Sequence, residues 1–171
     1  MAANNSRAPG RLISPVDPVA QSRLASYGVI DTQRDAAFDR LVFTTAQMFR
    51  VPIAIIALED GDRLWFKARV GTDITELPRA ISLCNAVTDD TVLVVEDALA
   101  DERFADNPLV TGKPHIRFCA CAPLLTRGGV RIGSLCVVDR TPKTLLARQI
   151  WQLAQLAASV VALLEARRPR V

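Results

Sequence analysis

Four cysteines, Cys84, Cys119, Cys121 and Cys136, and a single histidine, His115, carry most of the chemistry this sequence could perform. One histidine rules out zinc or non-haem iron sites built on several imidazoles. It also rules out a Ser-His-Asp hydrolase, unless His115 is the base. Thiols are what remain. On an extended strand Cys119 and Cys121 point to the same face, about 7 Å apart. If Arg127-Gly128 forms a two-residue turn, Cys119 falls opposite Cys136 and Cys121 opposite Ser134. Three thiols then share one face, whereas a one-residue change of register undoes the cluster. Such a group could be a redox pair or a soft-metal site. Free cysteine is also a small, habitually buried filler, and that is the expected role.

Cys84 stands apart. It falls in the first turn of a short helix expected to begin at Ser82, where backbone N–H groups favour a thiolate. Arg79 adds positive charge nearby. Other candidate ligand contacts lie in the segment from Asp97 to Val110. Arg103 could pair with an anion, Phe104 could stack and Asn107 could donate or accept. The same residues also read as a self-supporting loop, with Asp101 capping a turn, Arg103 paired to Asp97 or Asp101, and Phe104 plugging the core. His115 and Arg117 share the strand face of Cys119.

These residues need a frame. At 171 residues the chain fits one domain. A hydrophobic fraction of 50% against 23% charged permits a packed core and excludes global disorder. The net charge of +3 is too small to imply nucleic acid, and 5% aromatics argues against stacking platforms for single strands. No run of about 18 apolar residues suggests a membrane span. Residues 1–10 have no apolar centre and do not read as a secretory signal. A reducing cytoplasm is the expected compartment.

Residues 1–13 read as a flexible arm and 14–171 as a single domain ending in a long helix. Ser14-Pro15 or Asp17-Pro18 caps a first helix that Gly28 stops. A second helix starts after Asp31-Thr32, with Asp35 completing an approximate capping box, and ends at Pro52. Residues 53–58 are apolar on both faces, as in a covered central strand. Residues 64–70 alternate, and 92–95 form another buried strand. Two more strands, about 115–125 and 130–138, precede a final helix starting at Thr141-Pro142 or Thr144 and running to about Arg168. Short links make the sheet largely antiparallel. The end helices should share one face, and the 76–114 insertion should cover a pocket on the other. In the last helix Leu146, Ile150, Leu153, Ala157, Val160 and Leu164 form a heptad stripe. Leu145, Leu156 and Leu163 form a second stripe, which could pair with the first helix or, at a homodimer interface, with the same helix of a second subunit.

The chain resembles a GAF domain of the subgroup found with bacterial sensor histidine kinases and cyclic-di-GMP enzymes. The matching stretches are Arg23-Leu24, residues 27–32, Phe38-Asp39, residues 51–54, 62–68, Pro78-Arg79, Ser82, Cys84, 97–110, 116–118, 122–124 and 132–139. Together they span about residues 20–168. Cys119 and Cys121 depart from the pattern, where family members commonly carry an aromatic and a glycine. The resemblance implies an α+β, PAS-related fold: a central antiparallel sheet of about six strands, terminal helices on one face, and a short helix and loops over a pocket on the other.

It also implies a non-catalytic small-molecule sensing and dimerisation module in bacterial signal transduction. With no kinase or cyclase segment after the last helix, output would pass in trans to such a partner. Arg79, Cys84, Asp97, Arg103, Phe104, Asn107, Arg117, Cys119, Cys121 and Cys136 would then face the ligand. The ligand and any cofactor are unknown, no metal is expected, and neither nucleic acid nor membrane is an expected partner. One GAF branch reduces free methionine sulfoxide with pocket cysteines, so thiol redox chemistry by Cys84, Cys119, Cys121 and Cys136 is the alternative. A structural oligomerisation module without ligand is the third reading.

Overall fold

The computed structural model describes residues 16–86 and 90–170. The expected arm at 1–13 and the Ser14-Pro15 cap lie outside them. Chain order is α1 (Pro18–Ser26), α2 (Ala36–Phe49), β1 (Ile53–Asp60), β2 (Arg63–Val70) and β3 (Glu76–Pro78). Two 3-10 turns follow, Arg79–Ile81 and Leu83–Ala86. Then come β4 (Leu93–Val95), α3 (Pro108–Thr111), β5 (Phe118–Leu125), β6 (Arg131–Asp139) and α4 (Ala147–Ala166). The strands form one six-stranded sheet in the order β3-β2-β1-β6-β5-β4, and every pairing is antiparallel.

Local chemistry explains the helix ends. The Asp17 carboxylate accepts from the Val19 amide, with Pro18 in the first turn of α1. Gly28, at φ +60°, follows the C-cap. Asp35 caps α2 by accepting from the Ala37 amide at 2.9 Å. Thr32, expected as the cap, instead accepts a 2.9 Å hydrogen bond from Lys67 Nζ. The buried Lys67 ammonium also donates to the Gln33 carbonyl and lies over the Phe38 ring.

The sheet sorts its side chains by strand parity except on β2, where a bulge opposite Ile56 and Ala57 breaks the expected alternation of 64–70 and puts Leu64 and Phe66 on the cavity face but Ala68 on the helix face. On β5, Phe118, Ala120, Ala122 and Leu124 join the core under the helices. Cys119 and Cys121 join a second core on the opposite face. That second core is closed by Leu83, Cys84, Ala98, Phe104, Leu109 and Val110 from the covering segment. The expected division, terminal helices on one face and a cover on the other, is what folds. Leu153, Ala157, Val160 and Leu164 are the buried stripe of α4, while Leu146 is 59% exposed at its N-cap.

Three expectations need correction. The Ser82 helix is a pair of 3-10 turns, with the Ser82 hydroxyl accepting from the Cys84 amide. The last helix begins at Ala147 rather than at 141–144. The Lys143 amide donates to the Glu96 carbonyl and holds the approach beside the end of β4, and Gln149 Oε1 then accepts from the Leu146 amide. Finally, the β5–β6 turn is not Arg127-Gly128 alone. The Gly129 amide donates to the Thr126 carbonyl, and the Thr126 amide to Val130. Cys121 therefore pairs with Cys136, Cys119 with Val138, and Pro123 with Ser134. Each partner moves by two positions. An even shift preserves strand parity, so the thiols keep their common face.

Candidate functional site

The four thiols meet under the cover. Cys121 and Cys136 are direct cross-strand neighbours on β5 and β6. Cys84 descends from the 3-10 turn above, with Sγ 2.8 Å from Cys121 Sγ and 3.0 Å from Cys136 Sγ. Cys119 Sγ lies 3.4 Å from Cys121 Sγ. All four are free and buried. S–H groups of Cys119, Cys121 and Cys136 directed at Cys84 hold its thiol well below the ordinary range, against the cost of burial. Cys121 is pushed up by its contacts to Cys119, Cys136 and Cys84 and by burial. For Cys119 and Cys136 the Cys121 contact pulls down, but the Cys84 charge and burial win and their thiols rise.

Beside the thiols is a cavity of about 60 Å³. Cys84, Cys119 and Cys136 line it together with Ile55, Ala57, Leu64, Phe66, Leu77, Leu109 and Ile116. It is partly enclosed and almost wholly apolar, and its volume suits a molecule of only a few atoms. Near it, Glu59 of β1 forms a 2.9 Å ion pair with Arg131 of β6. Burial raises the Glu59 carboxyl, and the charges of Arg131 and Arg79 pull against that rise. Arg79 is itself 8% exposed, and its carbonyl accepts from Asn85 Nδ2. Glu59 was not among the residues singled out from sequence. Its odd position on β1, in step with Ile53, Ile55 and Ala57, was the available signal.

The other expected contacts divide. Asp97 and Arg103 line a broad, open groove with Val94, Glu96, Ala100, Asp101 and Glu102. There Arg103 pairs with Asp101 through two hydrogen bonds and lies over the Phe104 ring, while the Asp97 carboxylate accepts from the Leu99 amide. Phe104 is buried in the core of the cover. Asn107 is 2% exposed and fully committed: its Oδ1 accepts from the Leu109 amide and its Nδ2 donates to the Ile81 carbonyl. Arg117 donates to the carbonyls of Val110 and Ile116. Phe104, Asn107 and Arg117 therefore brace the cover, as the self-supporting reading of this loop anticipates. His115 lies before β5, at φ +60°, outside both cavities.

Leu145, Leu156 and Leu163 sit half-buried at the flank of the helix-side core. The outward face of α4 is instead Arg148, Trp151, Gln155, Ala158 and Ala162, with Trp151 63% exposed. Among the described residues, no helix is long and apolar enough to cross a membrane.

The family model for the GAF domain matches residues 33–164. A cyclic di-GMP phosphodiesterase of Pseudomonas aeruginosa is 41% identical over 144 residues, which is 83% of this chain and 24% of that protein. The chain thus spans about a quarter of that relative's length. Among solved structures, the GAF domain of an Acinetobacter phosphoenolpyruvate-protein phosphotransferase superposes with a TM-score of 0.65 at 19% identity. It covers 88% of this chain and 95% of that one. A free methionine-R-sulfoxide reductase from Neisseria meningitidis, in complex with its substrate, has a TM-score of 0.64 at 21% identity, covering 91% and 95%. At those identities the likeness is one of fold.

Proposed function

The chain belongs to the GAF domain family, and on that premise we propose that it is a non-catalytic sensing and dimerising module of bacterial signal transduction. The observation that carries this reading is the two-sidedness of β5 and β6. Cys119 and Cys136 line the cavity on one face. Ala120, Ala122 and Val137, on the other face, belong to the core under the helices that includes Leu153 and Ala157 of α4. An effector that spreads the cavity shifts the same strands on which α4 rests. Such an effector signals only if it binds one arrangement of α4 more tightly than another.

A second copy would pack along α4, using exposed Trp151 with Leu145, Leu156 and Leu163 at the rim. Output would pass in trans to a kinase or cyclase, or to an enzyme of cyclic-di-GMP turnover such as the Pseudomonas relative. The test joins two measurements. Fractionated small-metabolite pools are screened for a rise in melting temperature, and light scattering follows subunit number with and without each active fraction. A fraction that raises the melting temperature and changes the α4-mediated association supports the reading. No response from any pool removes the ligand and leaves a structural oligomerisation module.

The thiol cluster favours a second reading, in which the domain senses oxidant or reduces a small sulfoxide. Peptide mass spectrometry after mild peroxide separates the two. Four unchanged thiols eliminate the redox reading.

A further inference from the structure

We propose that Cys84, Cys121 and Cys136, with Cys119 beside Cys121 as an outer thiol, form a buried binding site for one soft, thiophilic d10 cation, copper(I) or zinc(II). That the cation acts as an effector rests on the sensing reading above; that it binds does not.

The donor set makes the first argument. The three ligand atoms lie within 4.8 Å of one another and come from three separate elements. Two are cross-strand partners and the third is brought from the cover, so the triangle exists only in the folded chain. All the convergent donors are sulfur. Thiolate sulfur selects copper(I) and zinc(II) over magnesium or calcium, which demand oxygen. The nearby carboxylate, Glu59, is already paired with Arg131.

Space makes the second. Metal–sulfur bonds of about 2.3 Å place tetrahedral sulfurs about 3.8 Å apart. The observed separations of 2.8, 3.0 and 3.4 Å must therefore open by roughly 1 Å or less. The 60 Å³ cavity borders Cys84, Cys119 and Cys136 and supplies that room. It is too small for a nucleotide or a tetrapyrrole, and ample for one ion.

Charge makes the third. Each ligating thiol releases its proton to solvent, and no electron changes hands. Three thiolates leave a net charge of −1 around zinc(II) and −2 around copper(I). Arg131 is neutralised by its ion pair with Glu59, which leaves the buried Arg79 as the cation on this side of the sheet that can offset part of the surplus.

The test uses the full chain, stripped with chelator and reductant and desalted anaerobically. One arm titrates cobalt(II) as the spectroscopic stand-in and then displaces it with zinc(II). The other titrates copper(I) against a chromogenic copper(I) chelator. The expected result is one ion per chain in at least one arm, with thiolate-to-metal charge transfer; the retained ion identifies the metal. Variants C121A and C136A should each weaken binding by at least the roughly 100-fold that outer-sphere changes can cost. C119A should leave copper(I) binding at three donors near wild type and weaken zinc(II). If a variant fails to fold, the cobalt charge-transfer intensity of the wild type, which counts thiolates, decides alone. Retention of neither ion overturns the site, as does undiminished binding by a folded C84A/C121A/C136A triple variant. Metal binding without any change in subunit number upholds the site and removes its effector role. A metabolite response in a chain that binds no metal does the reverse.

Discussion

Tyr27 and Glu165, 138 positions apart, are joined by a 2.6 Å hydrogen bond from the phenol to the carboxylate. This bond fastens the residue that ends α1 to the last turn of α4, so the two terminal helices bear on each other directly. Burial first, and the Glu165 contact second, raise the Tyr27 phenol to about 12. The folded value exceeds the unfolded one, so the stabilisation is complete below the ordinary phenol value of 10.0 and is lost as pH rises through about 12. Tyr27 is the single tyrosine of the chain, so tyrosinate absorbance reports it alone. The folded protein should titrate near 12, and the denatured protein near 10.0. Y27F should cost about 1 kcal/mol in urea unfolding at neutral pH.

Asp35 does two jobs, capping α2 and pairing with Arg167 beyond α4. D35A should lose about 1 kcal/mol for the cap and a few tenths more for the exposed pair. D35N keeps a capping oxygen and should lose only the smaller part. Burial pushes the Asp35 carboxyl up, but the Ala37 amide and Arg167 outweigh it and hold the carboxyl below its usual value. The charge contribution is therefore complete above 3.8 and fades as pH falls below it through the folded pKa. Wild type and D35N should converge in stability at the acid end, and urea midpoints across pH check this.

Gly133 on β6 pairs with Leu58 of β1. A Cβ there would overlap the Ala57 carbonyl oxygen, which is backbone and cannot swing aside. G133A should destabilise by about 3 kcal/mol or prevent folding, because two central strands would have to part. Thermal unfolding of G133A beside G128A, where a Cβ meets nothing within 4 Å, isolates the effect.

Three neighbouring S–H groups lower the Cys84 thiol below its ordinary range, against burial. In metal-free protein, a small neutral alkylating agent should modify Cys84 about tenfold faster than Cys119, Cys121 or Cys136. Peptide mapping over a time course reads the order. Equal rates at all four positions would show that global unfolding, not the native cluster, exposes them.

Much of this was legible in the residues. Parity on a strand needs no tertiary information, so the shared face of Cys119 and Cys121 followed from their spacing alone. The same local logic marked the apolar residues 53–58 and placed the buried stripe of α4 at Leu153, Ala157, Val160 and Leu164, whereas the alternation expected over 64–70 breaks at a bulge. The capping of α2 was less legible, because Thr32 and Asp35 are both good caps. Lys67, 35 positions later, takes the Thr32 hydroxyl and leaves the cap to Asp35.

The sequence by itself determined a largely antiparallel sheet, its two covered faces and the common face of Cys119 and Cys121, because these follow from periods of 2 and 3.6 and from short connections; the bulge that sends Phe66 and Ala68 to opposite faces leaves no such trace. Only the tertiary structure decided that Cys121 rather than Cys119 faces Cys136, since a turn from Thr126 to Gly129 sets the distance between strands that parity leaves open. Only it brought Cys84 onto both thiols, 37 and 52 positions away. Only it committed Asn107 and Arg117 to bracing the cover. A strand's own pattern says which way a side chain points; what it meets there depends on a segment folded over it from elsewhere in the chain.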